Sequence, residues 1–321
     1  MSESILDWQV FMEMFKFGSV TKAAEALRIT PSEASRHIAQ LERYLGYTLF
    51  DRSVRPCAPT ENAKNILINV REMLAQREML LRSTADKQSA SGVIIRIMMG
   101  NDYRKLAPGW IHEYVEQVPE QRINVICPAY LDDFQEGKVD LIQLSVEVKG
   151  SDIVMIPRGT VLYIPVASPE YLKTHPAIKD PKDVALHRTF GNAYKTRFSF
   201  RSPHILKKGA LVSTFTSIES VRYSNVEMTV QAVKDGYGIA LSLPHFLCVD
   251  ELEKGTLVPI LNGWHRPKVQ NYLVCKKETW KLKPIRTFGM WMATKQKAYF
   301  KECETRLSAL YGKSFLENLK Q

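Results

Sequence analysis

The chain has 321 residues, of which 45% are apolar and 24% charged, and its formal net charge is +10. This length and composition exclude a disordered chain and favour two folded domains. No apolar run approaches the roughly 18 residues of a membrane span, and no basic leader precedes an apolar segment, so we expect a cytoplasmic protein.

The positive charge lies mostly outside the amino-terminal region. Residues 1–92 contain 12 Lys and Arg against 11 Asp and Glu, so this part of the chain is nearly neutral. A basic protein is compatible with a nucleic-acid partner. Net charge by itself would therefore assign such a partner to the part of the chain beyond residue 92.

Three short helices are predicted in the first sixty residues. The first ends at Gly18 and has one apolar face, made of Ile5, Trp8, Phe11 and Phe15. The second runs through TKAAEAL, where the small side chains of Ala23 and Ala24 allow a close helix crossing.

The third helix has the clearest boundaries. Thr30, Pro31 and Glu33 supply a cap, a proline at the first helical position and a carboxylate at the third, which is a capping box, and Gly46 ends the helix. Its apolar stripe faces the other helices and consists of Ala34, Ile38, Leu41 and Leu45. The segment YTLFDRSVRPCAP then predicts a strand, a basic turn and a return, which is the outline of a wing.

A helix of this kind suits the major groove of duplex DNA, where its amino end reaches base edges and flanking cations reach phosphates. We expect Ser32, Ser35 and Arg36 to contact or approach bases, beside Thr30 and Pro31 at the helix start. The candidates for phosphate contacts are Lys22, Arg43, Arg52 and Arg55. Lys22 and Arg43 fit solvated surface charges equally well, and Glu33 fits the cap of Thr30 better than a contact to cytosine.

Residues 60–88 predict one long helix without Gly or Pro. Its apolar positions are Ala63, Ile66, Leu67, Val70, Leu74 and Leu81. A helix of this length standing apart from a domain needs a partner for such a stripe, which makes it a candidate for dimerisation. The polar string DKQSASG that follows predicts a flexible linker.

Strands and helices alternate beyond residue 92, through VIIRIMM, PGWIHEYVEQV, INVIC and VDLIQL. This order is typical of βα units around mostly parallel sheets. Two apolar strands, at residues 161–167 and 269–275, are candidates for the crossovers between two sublobes.

The sequence resembles the LysR-type transcriptional regulators over nearly its whole length. In FGSVTKAAEALRITPSEASRHIAQLERYLGYTLFDR the matching positions are Gly18, Ser19, Ala23, Ala24, Leu27, Ser35, Arg36, Ile38, Leu41, Glu42, Leu45, Gly46, Leu49, Phe50 and Arg52. The second half is similar through EGKVDLI, SPEYLKTHP and AVKDGYGIALSLP. Pro31 departs from a common glutamine, and residues 59–63 depart from a Leu-Thr-x-x-Gly pattern.

The resemblance implies a two-domain α+β protein. A winged helix-turn-helix with a long linker helix precedes an α/β effector domain of two sublobes, like that of periplasmic binding proteins. The implied boundaries are 1–60 for DNA binding, 61–92 for the linker (dimerisation) helix and hinge, 93–305 for the effector domain and 306–321 for a C-terminal tail. Sublobe I comprises 93–162 and 268–305, and sublobe II comprises 163–267. The implied partners are operator DNA, a small-molecule effector, further copies in a homodimer or homotetramer, and RNA polymerase.

The effector would lie between the sublobes, where strand ends meet helix amino termini. The candidate residues are Asn101, Asp102, Pro128, Ala129, Phe200, Arg201, Ser224 and Asn225. Ser224 with Glu227 also predicts a second capping box, so a role as a plain helix cap accounts for Ser224 as well as effector binding does. For Asn101 and Arg201, the ordinary polarity of a loop is almost as good an explanation as effector binding. Residues 158–210 hold ten basic and three acidic residues. This surplus is compatible with an anionic effector such as a carboxylate, and equally with a solvated basic face that assists DNA steering.

Motifs for catalysis are missing from the sequence, which has no Walker loop, GxGxxG after a strand, GxSxG or HExxH. The five cysteines lack CxxC spacing and predict reduced packing thiols. We therefore expect no enzyme, cofactor or metal. The alternative is a solute-binding or enzymatic α/β domain that carries a degenerate DNA-binding head, and salt-sensitive, sequence-selective DNA binding separates the two.

Overall fold

The computed structural model describes residues 3–88, 92–148, 150–192 and 201–321. The chain forms two compact units. One holds the chain up to Arg96 together with Tyr130–Asp140, and the other holds Ile97–Ala129 with Leu141–Gln321. Each unit has its own hydrophobic core.

The first unit begins with three packed helices, a two-stranded wing and a long helix. In chain order these are α1 (Ile5–Phe17), α2 (Val20–Leu27), α3 (Pro31–Leu45), β1 (Phe50–Asp51), β2 (Ala58–Pro59) and α4 (Glu61–Gln88). Gly18 and Gly46 follow α1 and α3 with φ of 60° and 79°, the left-handed conformation in which glycine ends a helix. The predicted ends of both helices are confirmed. We call α1–α3 with the wing the head.

Small and apolar side chains bring the three helices together. Ala23 and Ala24 are buried where α2 crosses its neighbours, and Ala34, Ile38 and Leu41 are buried on α3 as predicted. The buried face of α1 is rotated from the predicted one, because Ile5, Trp8 and Phe15 are only partly buried. Its buried positions are Asp7, Val10, Phe11, Met12 and Met14.

The apolar stripe of α4 packs on the core of the head. Ala63 and Val70 are buried in that core, and the partly buried side chains of Ile66, Leu67 and Leu74 pack against it. The head therefore covers the first part of the predicted stripe, whereas its last member, Leu81, is exposed. Ile68 and Met73 lie elsewhere on α4 and are exposed. The helix extends to Gln88, so the predicted flexible linker starts as helix, and its residues 89–91 lie outside the described part of the chain.

Strands and helices alternate from residue 92 onward. They are β3 (Ile94–Met98), α5 (Ala107–Gln117), β4 (Arg122–Ile126), α6 (Leu131–Gln135), β5 (Leu141–Leu144), β6 (Ile153–Val161), β7 (Tyr163–Ala167), α7 (Pro169–Thr174), β8 (Thr189–Asn192), β9 (Arg201–Lys208), β10 (Leu211–Tyr223), α8 (Val226–Lys234), β11 (Ala240–Pro244), α9 (His245–Glu253), β12 (Val258–Pro259), β13 (Val269–Lys276), α10 (Lys277–Trp280), α11 (Lys283–Tyr311) and α12 (Lys313–Leu319).

Three sheets organise these strands. A five-stranded sheet has the order β4-β3-β5-β13-β6, and two three-stranded sheets have the orders β11-β7-β12 and β8-β10-β9. The pairs β3–β5 and β8–β10 are parallel. However, β13 runs antiparallel to both of its neighbours, β7 runs antiparallel to β11 and β12, and β9 and β10 form a hairpin. The prediction of mostly parallel sheets is wrong, because the chain returns to the first sheet through a reversed strand.

The chain passes between sheets close to the predicted places. β6 belongs to the five-stranded sheet and β7 to a three-stranded one, so the passage occurs at Leu162. β13 brings the chain back after β12. Residue 306, where a C-terminal tail was predicted to begin, lies inside α11, and Leu307 and Leu319 are buried. The end of the chain is therefore packed helix rather than a tail.

Candidate DNA interface and effector site

The amino end of α3 is closed by the predicted capping box. Thr30 Oγ1 accepts a hydrogen bond from Glu33 N at 3.2 Å, and Glu33 Oε2 accepts one from Thr30 N at 2.8 Å. The Thr30 backbone N–H, followed by its hydroxyl, lowers the pKa of the Glu33 carboxyl. Glu33 is therefore committed to the cap, as predicted.

The predicted base-contacting residues lie within and after this cap on the surface of α3, and Ser32 Oγ lies 3.0 Å from Thr30 Oγ1. Ser32 and Arg36 are exposed and Ser35 is half-buried, while Thr30 and Pro31 are exposed at the helix start. Donors and acceptors are thus grouped within the first two turns of a helix whose other face is buried. This arrangement suits insertion of the helix end into a groove.

The four predicted phosphate contacts differ in their surroundings. Lys22 on α2 and Arg55 in the wing are exposed. Arg43 Nε donates to its own helix at Ala39 O, 3.2 Å away. Arg52 Nη2 lies 3.3 Å from Glu42 Oε2, so part of its charge is already paired.

Glu42 ties α3 to the wing, a role that our sequence reasoning missed. Its Oε1 accepts hydrogen bonds from Leu49 N at 2.7 Å and Phe50 N at 3.3 Å, while its Oε2 pairs with Arg52. On the other side, Gly18 O accepts from Cys57 N at 2.9 Å. The wing is therefore fixed at both ends to the helices that it flanks.

Asp7 and His37 form a second contact that the sequence did not reveal. Asp7 is fully buried on α1, and its Oδ1 accepts a hydrogen bond from His37 Nδ1 at 2.6 Å. Its Oδ2 accepts from Ser4 N at 2.6 Å. Because His37 follows Arg36 on α3, this pair fixes the rotation of α3 against α1.

Four of the predicted effector residues meet in the second unit. Asn101 lies in a 3₁₀ turn after β3, and its Nδ2 donates to Ser224 O at 3.1 Å. Asp102 follows in the same turn, and Asn225 is the N-cap of α8, where its Oδ1 accepts from Glu227 N at 2.8 Å. The predicted capping box at Ser224 is wrong, since the cap is the next residue.

The remaining predicted effector residues are less well placed. Pro128 and Ala129 follow β4 and are half-buried, but they do not line the cavity beside Asp102. Arg201 begins β9, although its side chain is not described, and Phe200 lies outside the described residues.

A small cavity of about 60 Å³ lies beside Asp102. Its polar lining includes Gln143, Ser145, Arg158 and Asn271, and aromatic rings of Tyr103, Tyr163 and Phe246 complete the wall. Sequence reasoning named Asp102 but missed Gln143, Arg158 and Asn271, because they come from β5, β6 and β13 and carry no motif. Arg158 was counted only as one of ten basic residues.

The basic residues between 158 and 210 do not form one site. Arg158 is 2% exposed, whereas Lys173, Lys179, Lys182, Arg188 and Lys208 are exposed. Most of the described surplus is therefore solvated surface, and Arg158 is the member that reaches an interior site.

Three of the five cysteines lie in the interior of the protein. Cys248, Cys275 and Cys303 are buried, and burial raises the pKa of the Cys303 thiol to about 12 and that of Cys248 further. No three His, Cys, Asp or Glu side chains are grouped as metal ligands within the described residues. No described helix is long and apolar enough to span a membrane.

Two family descriptions match the chain. Residues 5–64 match "Bacterial regulatory helix-turn-helix protein, lysR family", and residues 92–297 match "LysR substrate binding domain". Together these segments include α1–α3, the wing, the three sheets and the cavity.

Individual relatives and structures are similar over most of the chain. The HTH-type transcriptional regulator PtxR of Pseudomonas aeruginosa is 25% identical over 259 residues, which is 80% of this chain and 82% of that protein. The glycine cleavage system transcriptional activator of Escherichia coli K12 is 23% identical over 290 residues, which is 90% and 93%. The full-length Vibrio cholerae virulence activator AphB has a TM-score of 0.58 at 22% identity, covering 90% and 98%, and it shows a shared fold.

Proposed function

This chain belongs to the LysR family of bacterial transcriptional regulators, and we propose that it recognises its operator with the amino end of α3. It has the DNA-binding and effector-binding domains of that family. The named relatives are transcriptional regulators, which favours regulation of transcription over the alternative of a solute-binding or enzymatic protein.

The exposed end of α3 carries the DNA-binding proposal. Ser35 and Arg36 follow the Thr30–Glu33 cap, whose polar groups satisfy one another, and these two side chains contact base edges in the major groove. Ser32 joins them from within the cap, where its hydroxyl also lies 3.0 Å from Thr30 Oγ1. Thr30 and Pro31 lie against the groove edge at the same end. Lys22 and Arg55 contact phosphates, with Arg43 and Arg52 contributing less because each already has a partner.

Replacing Arg36 by alanine tests this proposal. Arg36→Ala should abolish selective footprinting on DNA upstream of the protein's own or a neighbouring gene, because a lost base contact costs about 1–3 kcal/mol in each head. Circular dichroism and sedimentation should remain unchanged, because the side chain is exposed. The matched control Arg286→Ala removes an exposed charge from α11 and should leave the footprint intact. An unchanged footprint for Arg36→Ala at moderate salt contradicts the proposal.

We also propose that the protein acts as a homodimer or homotetramer joined partly through α4. The exposed Ile68 and Met73 of that helix support an intermolecular contact. Residues 61–92 then act as linker and hinge, with the effector domain from about residue 93 onward. A DNA partner favours action in the cytoplasm, and RNA polymerase is proposed as a further partner.

The effector is proposed to bind in the second unit near Asn101, Asp102, Ser224 and Asn225. The hydrogen bond between Asn101 and Ser224 supports this placement, since it joins the turn after β3 to the segment before α8. A ligand beside this bond can favour one arrangement of the two segments over another. Pro128, Ala129, Phe200 and Arg201 remain candidates for contacts with the effector.

A further inference from the structure

The most unusual group in the second unit is the buried guanidinium of Arg158. It donates hydrogen bonds to Tyr272 O at 3.0 Å, Tyr103 Oη at 2.6 Å and Asn271 Oδ1 at 3.2 Å. It also reaches Gln296 Oε1 at 3.3 Å. Each of these partners is neutral, and within the described residues no carboxylate oxygen lies within 4.0 Å of it. A buried cation without a paired anion is costly, so this site favours an incoming anion.

Gln143 supplies an independent sign of a polar ligand. Its side chain lines the same cavity and is 4% exposed, yet neither Oε1 nor Nε2 has a hydrogen-bond partner among the described residues. Buried amide groups are almost always hydrogen-bonded. A ligand in the cavity can give this amide the partners that the protein does not.

A carboxyl group lines the cavity, and the charge of a second carboxyl group acts on the first. Asp102 lines the cavity, and Glu227 Oε1 is buried without a hydrogen-bond partner in the described structure. Desolvation, opposed by Arg158 and reinforced by the charge of Glu227, raises the pKa of the Asp102 carboxyl. Neither carboxyl group forms an ion pair within 4.0 Å among the described residues, and Arg158 acts on Asp102 only from farther away, so both can accept hydrogen bonds from an ammonium group.

We propose that this cavity binds a small α-amino acid, with its carboxylate on Arg158, its ammonium group toward Asp102 and Glu227, and the Gln143 amide between them. A simple carboxylate would satisfy Arg158 and face Asp102, while a simple amine would satisfy Asp102 and face Arg158, so only a zwitterion matches both charges. The 60 Å³ cavity accommodates about five non-hydrogen atoms, which is the size of glycine. This inference rests on the proposed function, because it names the effector of that same domain.

Calorimetric titration of the full chain with glycine and L-alanine tests the assignment. At least one of them should bind, while acetate and methylamine, which each carry one of the two charges, should bind at least about 100-fold more weakly. Comparable affinity for acetate and glycine overturns the zwitterion. Failure of glycine and L-alanine to bind at about 10 mM, far above a useful dissociation constant, overturns the whole proposal.

Three variants separate the roles of the lining residues. Arg158→Gln should weaken binding by about 100-fold and Gln143→Leu by about 10-fold, whereas the matched control Arg286→Gln should bind like the wild type. Asp102→Asn should weaken binding of the amino acid by about 10-fold and leave that of acetate equal or stronger. If Arg158→Gln fails to fold, Asp102→Asn still tests the proposal. An equal loss of affinity for the amino acid and for acetate in Asp102→Asn contradicts the ammonium contact.

Footprinting of the operator without added ligand distinguishes a failure of this inference from a failure of the proposed function. A selective footprint without amino-acid binding rejects the inference but supports the proposed operator recognition. Amino-acid binding without any selective footprint supports the cavity assignment and rejects the proposed operator recognition.

Discussion

Burial of His245 makes the stability of the second unit sensitive to acid. The ring is fully buried at the start of α9, where Nδ1 accepts a hydrogen bond from Leu162 N at 3.2 Å and Nε2 faces Phe300 O at 3.4 Å. These contacts suit a neutral ring that carries its proton on Nε2. Desolvation lowers the pKa of His245 to about 4 from the ordinary 6.5.

The lowered pKa predicts how the free energy of unfolding depends on pH. Between pH 6.5 and about 4 the unfolded chain binds a proton that the folded chain does not, so stability falls as the pH falls through this window. The loss should reach about 3 kcal/mol near pH 4 and change little below it. Urea unfolding from pH 7 to 4 should show a flatter profile for His245→Gln than for the wild type.

The exposed His112 provides the control for that measurement. Its side chain is 78% exposed, so His112→Gln should keep the wild-type profile. If His245→Gln lost stability with acid as steeply as the wild type, the acid sensitivity would belong to other groups.

Glycine is required at position 18 for two separate reasons, the backbone conformation and the lack of space for a side chain. It has φ of +60°, and a Cβ there would lie 2.9 Å from Cys57 O and 2.9 Å from Pro56 Cβ. Gly46 has φ of +79° but nothing within 4 Å of the same position. Gly46→Ala should therefore cost about 1 kcal/mol of unfolding free energy from the backbone alone, and Gly18→Ala about 3 kcal/mol because the wing must also move. Equal melting temperatures for the two variants would contradict the clash.

At the residue scale, sequence reasoning succeeded where the contact is local. The Thr30–Glu33 cap was predictable because both partners lie within one helical turn. The pairing of Asp7 with His37 could not be predicted, since it joins residues 30 positions apart. An aspartate in the sequence of α1 is also expected at the surface rather than in the core. Arg158 was missed for the same reason, because its partners come from distant strands.

At the scale of the elements, α4 is shared between the head and the linker. Its first turns bury Ala63 and Val70 in the core formed by α1–α3, although the pattern alone placed the end of the domain at residue 60. Helical periodicity predicted the existence and length of α4 because it is long and regular. It did not predict which partner covers the stripe, since periodicity gives the apolar face of a helix but not its neighbour.

This sharing predicts different behaviour for two fragments of the chain. A fragment of residues 1–60 should lack a cooperative thermal transition, because loss of Ala63, Val70 and their neighbours opens the core. A fragment of residues 1–88 should melt cooperatively. Circular dichroism of both at equal concentration checks this, and a cooperative transition in the shorter fragment would show that α4 is dispensable for the head.

At the scale of the whole molecule, the near-neutral head makes DNA affinity depend on a few positioned cations in each copy. Among the four cations assigned to phosphates, Lys22 and Arg55 are exposed, whereas Arg52 is paired with Glu42 and Arg43 bonds to its own helix, so these two contribute in part. Two heads then engage about six to eight phosphates, so the logarithm of the binding constant should fall with the logarithm of salt concentration with a slope of about −5 to −7. Single heads should bind weakly, because joining two sites raises the effective concentration of the second.

Fluorescence anisotropy with an operator fragment at several salt concentrations measures this slope. Arg55→Gln should make the slope shallower by about 2, one contact for each head of a dimer. Lys208→Gln removes an exposed charge of the second unit and should leave the slope unchanged. A wild-type slope steeper than about −12, or a clear effect of Lys208→Gln, would mean that the basic surplus of the second unit also contacts DNA. The net charge of +10 would then contribute to DNA affinity through contacts of the effector domain, instead of remaining on a solvated surface.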